Sequence, residues 1–411
     1  MKPGIRFDTG VEGAWGYVPE PPASWSFSSL KDAETCPRRW MLSRAKYPDV
    51  WDKGGYPQRP NPAALLGDVV HGAIEVIIDA LNVAGCTTLD APDSVHVLRG
   101  LGGLSAVVRE VIDRIIDDLK DNPRVNNDAR EGTRQLLVDQ IGLASNRIQL
   151  LLSRSRLPAW SGDKNVRQRD GHGGRGEHRR SPVDLGGHTE IDVVAEDLRL
   201  SGRIDLVTKD ESGVTITDFK TGQEDPSHDD QVRMYALLWD LDRERNPERS
   251  AADVLVVSYP GQSRIVPTPG PVALRSLELE TRTRIEQADS QATASAPARP
   301  GPDTCQFCQV RHLCADYWQT VVPDPATVTP NEWFDFEGSV LRQNGLKSWV
   351  VIAGLGGTEV LVRTQSPSTA LPLGRTIRVL GARRVGDSDD PGRVIAALGS
   401  NSENFALNDS A

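Results

Sequence analysis

Apolar residues recur three and four positions apart through "AALLGDVVHGAIEVIIDALNVAG", which predicts a long amphipathic helix stopped by a glycine. The same period predicts helices across 103–120 and 128–156. Upstream, "SWSFSSLKDAETCPRRWMLSRA" carries a serine cap, an acidic first turn and a basic last turn, so a short helix is expected there. After residue 182 the period drops to two, and "HTEIDVVAED", "LSGRIDLVTK" and "GVTITDFKTG" read as three strands with turn signals between them. "DDQVRMYALLWDLDRE" returns to helical spacing, and "ADVLVVSYPG" is an apolar run suited to a buried strand. A helix near 270–290 precedes the Ala/Pro-rich linker "QATASAPARPGP". Beyond Pro330, "WFDFEGSVL", "SWVVIAG", "TEVLVRT", "RTIRVLGARRV" and "GRVIAALGS" predict a small five-stranded barrel of the OB kind.

A chain of 411 residues exceeds one ordinary core, so several domains are expected. The pattern divides it into a loosely ordered lead-in at 1–25, a main domain at 26–320, a barrel at 330–403 and a frayed tail at 404–411. Within the main domain, residues 160–182 hold six Lys or Arg against three acids and almost nothing to bury, which predicts a mobile basic insert. With 38% hydrophobic and 25% charged residues, and no run near the roughly 18 apolar positions of a membrane helix, a soluble, cytoplasmic chain with no membrane partner is expected. The net charge of −10 excludes a protein that coats nucleic acid indiscriminately, but not one with a local basic groove.

The strongest candidate chemistry lies in "GRIDLVTKDESGVTITDFKTG". Folding a hairpin about Glu211 brings Asp205 opposite Thr217 or its neighbour, and so beside Asp218. Asp218 and Lys220, two apart on a strand, project to one face. Two carboxylates and an ammonium held together are costly unless a divalent ion relieves the repulsion, and Mg²⁺ or Mn²⁺ prefers such oxygen donors. The spacing fits a solvated hairpin face with a Lys–Asp pair equally well.

Four motifs in order carry a resemblance. "GDVVH" supplies Gly67 and His71, "GRID" Gly202 and Asp205, "DFKTG" Asp218 and Lys220, and "QVRMY" Gln231 and Tyr235. Together they resemble the core of the PD-(D/E)XK nuclease superfamily in its RecB-type branch, and look like its CRISPR-adaptation and helicase-associated exonucleases. The resemblance implies an α/β fold: a restriction-endonuclease-like mixed sheet core with a helical insertion, here followed by the barrel. It implies that Asp205, Asp218, the Phe219 main chain and His71 hold Mg²⁺ or Mn²⁺, while Lys220 handles the water. Glu190 is a further acidic candidate, rivalled by Asp192 on the same face. Gln231 and Tyr235 are similar to that branch's active-site and DNA-contacting pair. Ile204 replaces the proline that precedes the first acid in the superfamily pattern.

Five cysteines are too few for a disulfide scaffold, and clustered cysteines in a cytosolic chain favour a metal. "DTCQFCQVRHLC" offers three sulfurs and His312, so a local knuckle and a site completed from elsewhere are both open. A subgroup of the RecB-type branch places one cysteine before the nuclease core and three after it, spaced C-x-x-C-x5-C, around an iron–sulfur cluster. By that resemblance Cys36, Cys305, Cys308 and Cys314 hold a 4Fe–4S cluster, with structural Zn²⁺ as the alternative. His312 then becomes a bystander whose loss should cost little, and Cys86 an ordinary buried residue.

Arg38, Arg39, Arg44 and Lys46 beside Trp40 form a candidate DNA-facing patch, or simply a helix end with favourable charges. In the barrel, Trp333, Phe334, Phe336 and Trp349 are candidates for base stacking, with Arg383 and Arg384 as phosphate contacts; the same aromatics also suit a barrel core. The function implied is a metal-dependent DNA nuclease, an exonuclease on single-stranded DNA or DNA ends in repair, recombination or defence. The alternative is a non-cleaving or partner-activated DNA-binding adaptor of a helicase–nuclease complex. The sequence has no Walker A loop, so any motor is supplied in trans.

Overall fold

The computed structural model describes residues 5–408, apart from 90, 159–179, 355, 366–369, 388–389 and 391. Most of the expected basic insert, 160–182, therefore lies outside the described residues. The chain forms two compact units, one of residues 22–30 and 59–286, the other of 1–21, 31–58 and 287–411. This differs from a sequential division: the early cysteine helix and the late cysteine segment group with the barrel.

In the first unit a five-stranded mixed sheet runs in the order β3 (Gly186–Ala195), β4 (Leu200–Asp210), β5 (Gly213–Phe219), β6 (Val254–Ser258), β7 (Ser263–Val266). Only β5 and β6 pair parallel. The β4–β5 hairpin pairs Leu206 with Thr217, so Asp205 and Asp218 extend the ladder side by side. Helix α3 (Pro62–Val83) starts where the Asn61 side chain accepts from the Ala63 N–H and Pro62 presets the first turn. Its buried stripe, from Leu66 through Val70, Ile74 and Ile77 to Leu81, packs with α5 (Leu104–Asp118) and α7 (Ile141–Leu152) and with Leu206 and Phe219 of the sheet. A fully buried Leu or Ile contributes roughly 1.5–3 kcal/mol, so this stripe fixes where the polar face of α3 points. Helix α8 (Ser227–Leu241) packs against β3 to β7.

The long period across 128–156 is broken in two, α6 (Asn127–Asp139) and α7, because Gln140 leaves helical geometry at φ −98°, ψ 6°. A short helix α4 (Pro92–Gly100) also stands where the periodicity gave no signal. Its single buried residue, Ser94, explains that silence.

In the second unit the strands β8 (Trp333–Gln343), β9 (Ser348–Ala353), β10 (Thr358–Thr364), β11 (Thr376–Val385) and β12 (Val394–Ala406) close a barrel in the order β10-β12-β11-β8-β9. Phe334, Phe336 and Trp349 fill its interior, so these three aromatics are core and not a stacking platform. Arg384 is buried too, donating to the Val385 and Arg393 carbonyls. The expected loose lead-in is ordered: β1 (Arg6–Phe7) pairs with β2 (Gly16–Tyr17), and Val11 bridges Leu407. The expected tail is strand as far as Ala406. Both ends find backbone partners in each other, which hydrophobic pattern cannot reveal. No helix among the described residues is long and apolar enough to cross a membrane.

Candidate metal centre

Three elements of the first unit converge. His71 on the polar face of α3, Glu190 on β3 and Asp205 on β4 each offer a donor atom, all within 4.8 Å of one another. His71 Nδ1 lies 3.5 Å from Asp205 Oδ1, while the Phe219 N–H donates to Asp205 Oδ2 at 2.6 Å. The main chain at Phe219 thus touches the site through its amide. Glu190 sits in the left-handed region at φ +49°, opposite Asp205, where the β3–β4 ladder passes from Thr189–Leu206 to Ile191–Ile204. Asp192, the rival acid, is more than half exposed and paired with Arg203 at 2.9 Å, outside the cluster.

Asp218 is buried on the adjoining strand β5. Lys220 Nζ stands 2.8 Å from its Oδ2 and donates to Gln231 Oε1 at 2.9 Å. Gln231 Nε2 in turn donates to the Tyr235 hydroxyl at 2.8 Å. The ammonium has donors only, so the Gln231 carbonyl must face it, which leaves the NH₂ for the Tyr235 hydroxyl. Gln231 and Tyr235 are one turn apart on α8 and share a face, which is why the relay needs a helix here.

Electrostatics mark the same spot. Burial pushes Glu190 up to about 7, with Asp205 reinforcing it and His71 opposing. Burial and the Asp205 charge also raise Asp218, against the pull of Lys220. For His71 burial favours the neutral ring, yet the hydrogen bond and charge of Asp205, with Glu190 and Asp218 behind, win and raise it. Burial and the neighbouring Asp218 and Asp205 carboxylates keep Tyr235 protonated.

The two motif glycines have steric explanations that the sequence did not disclose. A Cβ on Gly202 would meet Leu238 at 2.9 Å and Tyr235 at 3.0 Å, so the bare backbone lets α8 close on the sheet. One on Gly67 would meet the Thr221 hydroxyl at 3.2 Å, where α3 passes the end of the Lys220 loop.

The second unit brings Cys36, Cys305, Cys308 and Cys314 onto one cavity wall, with Arg311 and Tyr317 beside them. Cys36 N-caps α2 (Pro37–Arg44), and the first three thiols are buried. Burial pushes the Cys308 thiol up to about 12 and raises Cys314 as well. Arg38 and Arg39 line this cavity; Arg38 donates to the Ala294 carbonyl at 2.9 Å and Arg39 pairs with Asp32. They are occupied by protein groups rather than presented as an open basic patch. His312 is fully buried, its ring stacked 4.0 Å from that of Phe405, so it is a packed residue and not a dispensable one.

The sequence matches the family described as the PD-(D/E)XK nuclease superfamily over residues 24–315. No curated protein matches it. Among solved structures, parts of the chain are similar to the tetrameric p202 HIN2 (19% identity, 21% of this chain, 46% of that one). Others are similar to the OB domain of MM0293 from Methanosarcina mazei (16% identity, 21% and 81% covered) and to fission yeast Pot1 with ssDNA (9% identity, 28% and 52%). The TM-score is 0.18 in all three, too low for these likenesses to bear on the fold, and the chain spans about half the length of two of them.

Proposed function

The chain belongs to the PD-(D/E)XK nuclease superfamily, and from that premise we propose that it is a Mn²⁺- or Mg²⁺-dependent deoxyribonuclease of the RecB type, acting on single-stranded DNA or DNA ends. One observation carries the reading: an acid–imidazole donor set lies directly beside the Asp218–Lys220–Gln231–Tyr235 relay. On an octahedral ion at about 2.1 Å, cis donors stand roughly 3 Å apart and trans donors roughly 4.2 Å, so donor atoms within 4.8 Å of one another lie close to that range. The strain held at Glu190 and the raised carboxyls are what an ion would compensate.

His71, Glu190, Asp205 and Asp218 would hold the ion, which when bound acidifies a coordinated water and offsets charge on the phosphate. The chain's own residues do the rest. Lys220, steadied by Asp218 and by the Gln231 carbonyl, keeps its ammonium aimed at the attacking water and the non-bridging phosphate oxygen. Tyr235 accepts from the Gln231 NH₂ and so anchors the far end of the amide whose carbonyl accepts from Lys220.

The four thiols on one cavity, in the spacing C-x-x-C-x5-C plus an early cysteine, support a bound 4Fe–4S cluster, with structural Zn²⁺ as the alternative. Arg38, Arg39 and Arg311 at the wall supply positive charge suited to a tetrathiolate cluster. Unpaired cysteines also fit a reducing compartment such as the cytoplasm. End-labelled single- and double-stranded DNA, anaerobically purified protein and Mn²⁺ test the nuclease. Asp218→Ala and Lys220→Ala should each lower cleavage at least about a hundredfold while DNA binding persists. Undiminished metal-dependent cleavage in either variant would sink the assignment, and a wild type inert without a partner would favour the adaptor reading.

A further inference from the structure

The barrel carries a solvent-facing row of side chains that neither the metal centre nor the thiol cavity uses. Strand registers set Trp333 of β8 opposite Arg383 of β11, Arg383 opposite Ala397 of β12, and Ala397 beside Arg363 of β10. Directly paired residues share one face of a sheet. Their chain neighbours Phe334, Ala382, Leu398 and Val362 all belong to the barrel core, so alternation turns the row outward. Exposure agrees: Trp333 is 63% accessible, and Arg363 and Arg383 are exposed. Three strand spacings of about 4.8 Å make the row roughly 14 Å long, with a guanidinium on either side of the small Ala397.

The row is locally positive on a chain whose net charge is −10. Of the two acids flanking Trp333 in the sequence, Glu332 accepts from the Thr329 N–H at 3.2 Å, and Asp335 is buried and bound by Arg311, Tyr317 and the Gly381 N–H. Among the described residues Arg383 makes a single long bond of 3.4 Å, to Asn331, which a stronger acceptor would displace. One indole among two guanidiniums is too small and too polar for a protein interface, whose standard size is about 800 Å² per partner. It matches a nucleic-acid strand, which offers alternating phosphates and aromatic faces. A duplex hides those faces by stacking, so the indole requires unpaired bases.

We infer that the outer row of the barrel binds single-stranded nucleic acid, Trp333 stacking on a base while Arg363 and Arg383 pair with backbone phosphates. The row shares no residue with the metal centre, and binding is measured with divalent ions chelated, so this inference and the nuclease reading fail separately. The test is fluorescence anisotropy of labelled oligo(dT) on the full chain in EDTA, over a series of KCl concentrations, with a duplex of equal length as comparator. Trp333→Ala should weaken oligo(dT) about 5- to 100-fold, the span of roughly 1–3 kcal/mol per stacked base, while Trp333→Phe keeps most of the affinity. Arg363→Gln and Arg383→Gln should each flatten the salt dependence by about 0.7 in log–log slope. Unchanged affinity in Trp333→Ala, or an equal loss for duplex and single strand, would overturn the inference. Melting of each variant at the wild-type temperature, expected for exposed positions, confirms that the loss is one of contact.

Discussion

Glu190 pays for its place: a non-glycine residue at φ +49° costs roughly 1–3 kcal/mol, and burial also disfavours its charge. Its folded-state pKa of about 7 exceeds the ordinary 4.5, and Asp218 and His71 are raised as well. Groups raised on folding bind more protons in the native state, so stability falls as pH climbs through the window between the unfolded and folded values. Ion-free protein should therefore be more stable at pH 5 than at pH 8, with Glu190 alone contributing up to roughly 3 kcal/mol of the difference. Urea unfolding in EDTA reads this directly. A flat profile from pH 5 to 8 would remove the electrostatic argument, whereas Glu190→Gln should make it shallower, Asp218 and His71 keeping the rest, and Mn²⁺ should restore stability at pH 8. Imidazole favours Mn²⁺ over the harder Mg²⁺. His71→Ala should accordingly narrow the preference for Mn²⁺, measured as the ratio of cleavage rates with the two ions.

At the scale of elements, α8 must lie close enough to the sheet for Gln231 to reach Lys220, and Gly202 sets that distance. Gly202→Ala should destabilise the protein by about 1–3 kcal/mol and lower cleavage, because the added methyl meets Leu238 and Tyr235. Unaltered melting and activity in that variant would show that α8 has room to spare. These elements were largely legible in the sequence: the three-four period of α3 and the two-residue period of β4 and β5 follow from burying one face. The hairpin turn placed Asp205 beside Asp218 for the same reason. What stayed hidden depends on distant partners. The Glu190 distortion falls opposite Asp205 on the next strand, Gly202 answers to Tyr235 and Leu238 on a later helix, and α4 buries too little to leave a pattern.

For the molecule as a whole, the proposed cluster would tie the early cysteine helix to the late cysteine segment. Cys36 caps the start of α2 and faces a cavity shared with residues that lie beyond the whole run of nuclease motifs, a closure no local spacing can announce. Arg311 lines that cavity and pairs with Asp335 of β8 at 2.6 Å, so the thiol segment and the barrel are bonded together. If the four thiols hold one group, loss of any of them removes it: Cys36→Ala and Cys305→Ala should lose iron alike and fall in melting temperature together. His312 supplies the contrast, in a direction opposite to what its sequence context suggested. Its ring stacks on Phe405 and lies 4.9 Å from that of Tyr56, so His312→Ala leaves a buried void costing roughly 2–4 kcal/mol. It removes no thiol, and iron per chain and visible absorption should stay at wild-type levels. Iron lost from His312→Ala but retained in Cys36→Ala would restore the local knuckle, and a colourless, zinc-containing wild type would replace the cluster while leaving the nuclease centre untouched.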